Sequence, residues 1–384
     1  MPNVDLAVIG GGLAACSLIA HLRKRNYKGT IGLVEAGRGA GGRAASRQSR
    51  GAPGWRIDHG APSFNLTTPP PEGVRFLLNQ LEANGFLVPD DQPIVGLDRD
   101  GRFTPAPHNR QLEGQRFRGQ PSMANLCDGL LAIAGQSVQT HYEKRIRRLL
   151  RQDNQWLIST EDQSWTMSAK QLVLSGNLLA HPRVKSLLGW EAIPLRAAVD
   201  QGVDPQLDDV LDCIGASRAS SRWTCMIQLS DADQPEITAN WPRQIWLDHG
   251  AQARWPVERL VVQPQQVSGL GLVMHGLPAA EAIPANESTQ TTRQQRERMF
   301  LDVLPALLAC LPEGSSMLDK TRSWGVMRWG AAQPLDHPLP LQLQYCSNSA
   351  IGFCGDWVDT PGFGRVEGAL RSGVSLAEKL TANG

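Results

Sequence analysis

The sequence predicts an α/β fold in which a parallel-sheet nucleotide domain, drawn from separated segments, carries a second region of antiparallel sheet and helices. Three observations lead there. The chain opens on a strand, a glycine-rich turn and a helix; it closes on the same succession; and between them lie many short strand-like runs with few helical stretches.

Residues 5–9 form the first strand, an apolar run stopped by Gly10, Gly11 and Gly12. A helix through about Arg25 follows, because Ala15, Leu18, Ile19 and Leu22 fall on one helical face. Residues 30–35 are β-branched and apolar enough for a strand inside a parallel sheet, which completes a βαβ unit. Residues 37–54, rich in Gly, Ser, Arg and Ala, have little periodicity and read as a long functional loop. The TTPPP tract at 67–71 punctuates the chain, and a helix at 76–85 opens the second region. A helix at 121–133 takes Ser122 as its N-cap, and strands are expected at 138–142, 155–160 and 171–174. Runs at 223–229, 244–247, 259–262 and 271–275, with no helical period between them, predict an antiparallel sheet. A helix at 291–311 follows, then strand-like sequence at 323–327. The chain ends with a compact apolar strand at 350–354, the turn Gly355-Asp356-Trp357 and a helix at 366–380. That helix carries a stripe of Ala369, Gly373 and Ala377, which permits close approach of a neighbouring backbone. These boundaries assign 1–66, 120–185 and 320–384 to the nucleotide domain, and 67–119 and 186–319 to a substrate domain.

At 384 residues the chain exceeds the length at which a single core usually stops growing, so one large mixed domain or two interleaved ones are expected. A net charge of +1 gives no electrostatic basis for binding nucleic acid, so the expected partner is a small molecule. Seven cysteines are scattered without a C-x-x-C pair, which argues against zinc and a disulfide framework. No metal is expected. Residues 6–22 are almost wholly apolar, but Asp5, the three glycines and His21 suit strand, turn and helix better than a membrane span, and a cytoplasmic location is expected.

Gly10-x-Gly12-x-x-Ala15 closes a strand and opens a helix, the context of a dinucleotide fingerprint. Gly10 permits the turn, Gly12 lets a pyrophosphate approach the backbone, and Ala15 keeps the helix near the sheet while its N-terminus favours negative charge. Glu35, 23 positions after Gly12 at the end of the next strand, places a carboxylate where adenosine ribose hydroxyls would lie. A Rossmann-like unit follows from this spacing, with FAD or NAD left open. Two further signals favour FAD. Gly41-Gly42-Arg43 is a turn ending in a guanidinium able to reach the same pyrophosphate. Gly355-Asp356 sets a carboxylate where it could hold ribityl hydroxyls, with a helix N-terminus near Val366 facing the N1–C2 edge of a flavin.

With these residues the chain resembles the glutathione-reductase-like flavoproteins of the amine oxidase superfamily, and within them the renalase-like proteins. The matching pieces are Val8-Ile9-Gly10-Gly11-Gly12-Leu13-Ala14, Glu35, Gly41-Gly42-Arg43-Ala44-Ala45-Ser46, Asp58-His59-Gly60-Ala61, Phe353-Cys354-Gly355-Asp356-Trp357, Arg365-Val366-Glu367-Gly368-Ala369 and Ser372-Gly373. The resemblance implies an FAD domain of three segments with an inserted α+β substrate domain. It implies cofactor contacts at Leu13, Ala14, Ala36, Ala61, Arg365, Val366, Glu367 and Ala369, and through the Ile146 backbone to the adenine. It also implies oxidation of dihydronicotinamides, an NAD(P)H-type substrate, with the flavin reoxidised by O2. Gly60-Ala61-Pro62-Ser63-Phe64 departs from the family's Gly-Ala-Gln-Tyr-Phe, and no cysteine stands at 328–331 to attach a flavin covalently, so a non-covalent FAD is expected.

Hydride transfer to flavin N5 needs positioning more than acid–base help. His59 is the candidate catalytic residue, with a structural or solvent-facing histidine as the alternative; Arg47 faces either the ring or water. Trp324, Trp329 and Trp357 are candidates to wall a flat donor, or else core. The expected function is an FAD-dependent oxidase or dehydrogenase acting on a small flat donor such as a dihydronicotinamide or an amine. Alternatives are a flavin-dependent desaturase or isomerase of an apolar pigment or isoprenoid, and a non-catalytic flavin-binding redox sensor.

Overall fold

A computed structural model of the chain describes residues 1–49, 54–135, 137–229, 241–265, 269–280 and 289–382. From Leu6 to Ile9 its first strand is apolar on both faces and therefore belongs inside a sheet covered on both sides. Asn3–Ile9 pairs in parallel with Ile31–Val34 on one side and with Thr166–Leu174 on the other. Val138–His141 lies beyond Ile31–Val34, and Ile351–Phe353 runs parallel to the last residues of Thr166–Leu174. All five strands are parallel, so their carboxyl ends share one edge of the sheet.

The opening half of Thr166–Leu174 pairs instead with Gln155–Thr160, which pairs with Ile146–Gln152, both antiparallel. This meander peels away and leaves Leu172–Leu174 free to accept the closing strand. One face of the parallel sheet is covered by the first helix, Leu13–Lys24, and the last, Val366–Ala382; Leu18, Ile19, Leu22 and Leu376 are fully buried there. On the other face, helices Val184–Leu188, Pro194–Ala198 and Pro205–Ala216 bury Leu195, Leu207 and Val210 with Leu172 and Phe353. Residues 184–216 thus pack on the parallel sheet.

The second sheet has seven strands, in the order Thr321–Pro334, Ala219–Leu229, Leu270–Gly276, Val257–Pro264, Gln244–Leu247, Ile94–Leu97 and Phe103–Pro105. Every pairing is antiparallel except Gln244–Leu247 with Ile94–Leu97, which is parallel. The helix Gln290–Ala309 covers one face, with Phe300, Leu304 and Leu307 against Ile227, Leu260 and Leu272. The strand after residue 320 pairs here and not with the parallel sheet, and it is far longer than the 323–327 run expected.

Three local expectations need correcting. The strand Ile146–Gln152 was absent from the expected set, because Arg147, Arg148 and Arg151 break its apolar alternation. The helix expected at 121–133 begins at Asn125, and Ser122 is not its cap: the Ser122 hydroxyl donates to Asn125 Oδ1 (2.7 Å) within a preceding turn. The helix expected at 76–85 is Glu72–Ala83, since Pro71 is its N-cap and proline at a helix start costs no hydrogen bond. Among the described residues no helix is long and apolar enough to cross a membrane.

Candidate functional site

The carboxyl edge of a parallel sheet, where neighbouring connections diverge to opposite faces, leaves a crevice. Here it is a cleft of about 470 Å³ whose walls come from both ends of the chain and from the second sheet. Gly10 adopts φ +100°, a conformation only glycine takes freely, and its N–H donates to Val34 O (2.8 Å). Gly12 is the N-cap of the first helix and supplies no side chain to the helix start. A Cβ added to it would meet nothing within 4 Å, so the space before the uncapped N–H groups is open cleft. Leu13 and Ala14 line the same space.

Both oxygens of Glu35 are engaged by the backbone it braces: Gly11 N donates to Oε2 (2.7 Å) and Gly37 N to Oε1 (2.6 Å). Each oxygen keeps lone-pair capacity toward the cleft, which Glu35 lines. The second glycine turn docks on the first, with Gly41 N donating to Gly11 O (2.8 Å). Gly42 comes so close that a Cβ there would lie 3.1 Å from Gly12 Cα.

The closing turn meets this pair of turns directly. Arg43 Nη2 forms an ion pair with Asp356 Oδ1, and Arg43 Nη1 donates to Ala332 O (3.3 Å). The two groups expected to grip different parts of one ligand therefore hold each other across the cleft. Gly355 N donates to Ser372 Oγ (2.9 Å), fixing the turn against the last helix. The start of that helix opens into the cleft through Arg365, Val366 and Ala369. Two helix N-termini and two glycine turns thus converge on one space.

Other expected residues are placed differently. Ala61 lines the cleft, and so does Arg365, whose guanidinium is spent on Asn65 Oδ1 (3.0 Å), Thr67 Oγ1 (3.1 Å) and Glu367 (3.2 Å). Glu367 is fully buried and does not line the cleft; Thr67 and Arg371 donate to it and tie the last helix to the turn before Pro69. Burial opposes its charge, but these hydrogen bonds outweigh burial and hold its carboxyl below its ordinary value. Ala36 is exposed beside Glu35 and is not a lining residue. Ile146 is buried in the cluster that holds Val34 and is likewise not a lining residue.

His59 does not line the cleft either. Its ring stacks on Trp329 (5.3 Å between centroids, 29° between planes), while the Trp329 indole donates to His59 O (3.2 Å). Burial, with Arg47 adding to it, pushes His59 down to about 4, so the ring is neutral at neutral pH. Trp329 is the face presented to the cleft and His59 backs it. Trp324 packs on Trp55 and Trp357 on Phe353, so neither indole is a cleft wall. Arg47 is exposed and outside the lining.

The far end of the cleft holds polar residues that the sequence reading missed. Arg222, Gln244, Arg259 and His275 project from strands of the second sheet, with Gln111 beside them. Arg259 and His275 are register partners on adjacent strands, and Thr224 lies opposite His275 on the next. The available signal was charged and polar residues in strands whose other residues are mostly buried. The residues that line the cleft include no cysteine, and all seven cysteines are unpaired. No cluster of metal-ligating side chains exists among the described residues.

A family of NAD(P)-binding Rossmann-like domains matches residues 8–81. No curated protein matches the sequence. Among solved structures, a cyclohexylamine oxidase from Brevibacterium oxydans IH-35A is 14% identical with a TM-score of 0.63, over 100% of this chain and 99% of that one. An oxidoreductase from Methanosarcina mazei is 11% identical with a TM-score of 0.63, over 97% of this chain and 100% of that one. A variant of putrescine oxidase is 11% identical with a TM-score of 0.60, over 100% of both chains. At such identities the likeness speaks to the fold, a mixed α/β architecture with a Rossmann-like unit and several sheets.

Proposed function

We propose that the cleft holds FAD and that the protein is an FAD-dependent oxidoreductase taking a hydride from a small, flat donor. The observation that carries this reading is the convergence of two helix N-termini and two glycine turns on one space, joined by the Arg43–Asp356 pair. An open face before Gly12, uncapped N–H groups and a ribose-height carboxylate at Glu35 suit a dinucleotide.

Gly12, Leu13 and Ala14 bind the pyrophosphate through backbone N–H groups and the helix dipole, and Glu35 accepts from the adenosine ribose hydroxyls. Arg43 would share its guanidinium N–H donors between Asp356 and the pyrophosphate, leaving Asp356 able to accept from the ribityl chain. When bound, FAD supplies a two-electron acceptor at N5 of its isoalloxazine. The helix starting at Val366, whose first residues line the cleft, would hold the flavin ring and stabilise negative charge on it through its N-terminus. Trp329, held by His59, forms a flat wall that positions the donor and excludes water.

The finer reading is a glutathione-reductase-like FAD domain with an inserted substrate region and non-covalent FAD. Its donor is of the renalase-like kind, a dihydronicotinamide, or an amine as the names of cyclohexylamine oxidase and putrescine oxidase indicate for those proteins. The charged far end of the cleft speaks against a wholly apolar pigment substrate. Anaerobic mixing with a panel of dihydronicotinamides and amines tests the reading: loss of flavin absorbance near 450 nm, on the order of one flavin per donor oxidised, is expected for at least one donor. A protein that carries no flavin contradicts it.

A further inference from the structure

The far end of the cleft has a charge imbalance. Arg222 and Arg259 bring two guanidinium groups, with side chains about one-tenth exposed. Glu258 is the one carboxylate in ion-pair reach of either among the described residues; it pairs closely with Arg222 and lies 4.0 Å from Arg259 Nε. Burial lowers Arg259 only to about 10, so it stays charged at neutral pH. The cluster therefore keeps one positive charge in excess.

Its hydrogen-bonding capacity is also unspent. Arg259 Nη1 donates to Gln111 Oε1 (3.2 Å) and its guanidinium lies over the Trp246 ring at 4.6 Å, but Arg259 Nε has no hydrogen-bond partner. His275 Nε2 and Thr224 Oγ1, both buried and in register with it, have none either. A buried cation and several orphaned polar atoms are costly unless something pairs with them. Arg222 sits opposite Trp329 on the neighbouring strand, three residues along from Ala332, which accepts from Arg43. At the rise of an extended strand Trp329 and Ala332 stand about 10 Å apart, and Arg222, Trp329, Ala332, Arg43 and Asp356 all line the one cleft.

We propose that this end of the cleft is an anion pocket in which Arg259, with Arg222 and His275, holds a carboxylate of the electron donor. A planar carboxylate matches the guanidinium fork, and its charge cancels the excess. A protonated amine placed there would face two guanidinium groups, so the preferred donor is a small flat molecule bearing a carboxylate and not a cationic amine. The inference rests on the FAD reading for what a donor is, but the pocket can be tested without turnover.

The test is calorimetric titration of the purified protein with sodium benzoate, benzamide and benzylammonium, with thermal melting as a folding control. Benzoate is expected to bind about tenfold or more tightly than the other two. Arg259→Gln brings benzoate to the level of benzamide, and Arg259→Lys retains part of the preference. Glu258→Gln, which removes the competing carboxylate, tightens benzoate, whereas a merely structural role for the cluster would weaken it. Equal binding of benzamide or benzylammonium, or benzoate binding indifferent to Arg259→Gln, overturns the proposal. If a variant does not fold, the three-ligand series on the unaltered protein decides. Flavin-free protein that binds benzoate through Arg259 would remove the FAD reading and leave the anion pocket standing; yellow protein indifferent to benzoate would do the reverse.

Discussion

Gly12 shows how a single residue can matter for function and not for folding. Its φ of −81° is open to any residue and a Cβ would enter empty space, so Gly12→Val should leave the melting temperature within about 2 °C of the original. The same side chain would stand where the pyrophosphate belongs, and FAD affinity should fall about tenfold or more by fluorescence titration. Equal loss of stability and of binding would mean the turn is structural. Asp58 offers a test of opposite kind. It accepts from Ser46 Oγ (2.5 Å) and Met123 N (3.1 Å), yet burial raises its carboxyl from 3.8 to about 6. The folded chain then binds more protons than the unfolded chain in that window, so stability falls as pH rises from about 4 to about 6 and stays lower above it. Asp58→Asn keeps both acceptor bonds and removes the dependence, with a gain of about 3 kcal/mol at pH 7 in chemical denaturation. A loss at pH 7 would show that the ionised carboxylate is needed. The places of Gly12, Glu35 and Arg43 in the cleft were legible in the sequence because they are set by neighbours in sequence. His59 was not, since what fixes it is an indole 270 positions away.

Gly373 answers for the packing of two helices. A Cβ there would fall 2.2 Å from Ser17 Oγ and 2.3 Å from the Ala14 carbonyl oxygen, so the last helix can touch the first only with glycine at this position. Gly373→Ala should cost about 1 to 3 kcal/mol by thermal or urea unfolding. Because Ala14 and Val366 both line the cleft, FAD affinity should fall with it. An unchanged melting temperature would contradict the account of this contact. The small-residue stripe announced it, as a periodic local pattern can. Ile146–Gln152 had no such announcement, since its arginines hide an edge strand whose partners, not its own composition, define it.

Across the whole molecule, the glycine-turn end and the polar end of the cleft differ in how they are written. The first is built from three short stretches, each with its own glycine turn. The second collects Arg222, Gln244, Arg259, His275 and Trp329 from five strands that only the sheet order brings together, with Gln111 added from a turn. The parallel sheet was therefore foreseeable, and the antiparallel sheet foreseeable in kind, while the placement of residues 184–216 and of the strand Thr321–Pro334 depended on long-range packing. The central claim is that one dinucleotide is gripped at both ends of a single cleft. It is tested most directly by equilibrium titration of flavin-stripped protein with FAD and with FMN, which lacks the adenosine half. The account expects one FAD per chain, bound about a hundredfold or more tightly than FMN. FMN binding as tightly as FAD, or no binding of either, would contradict it.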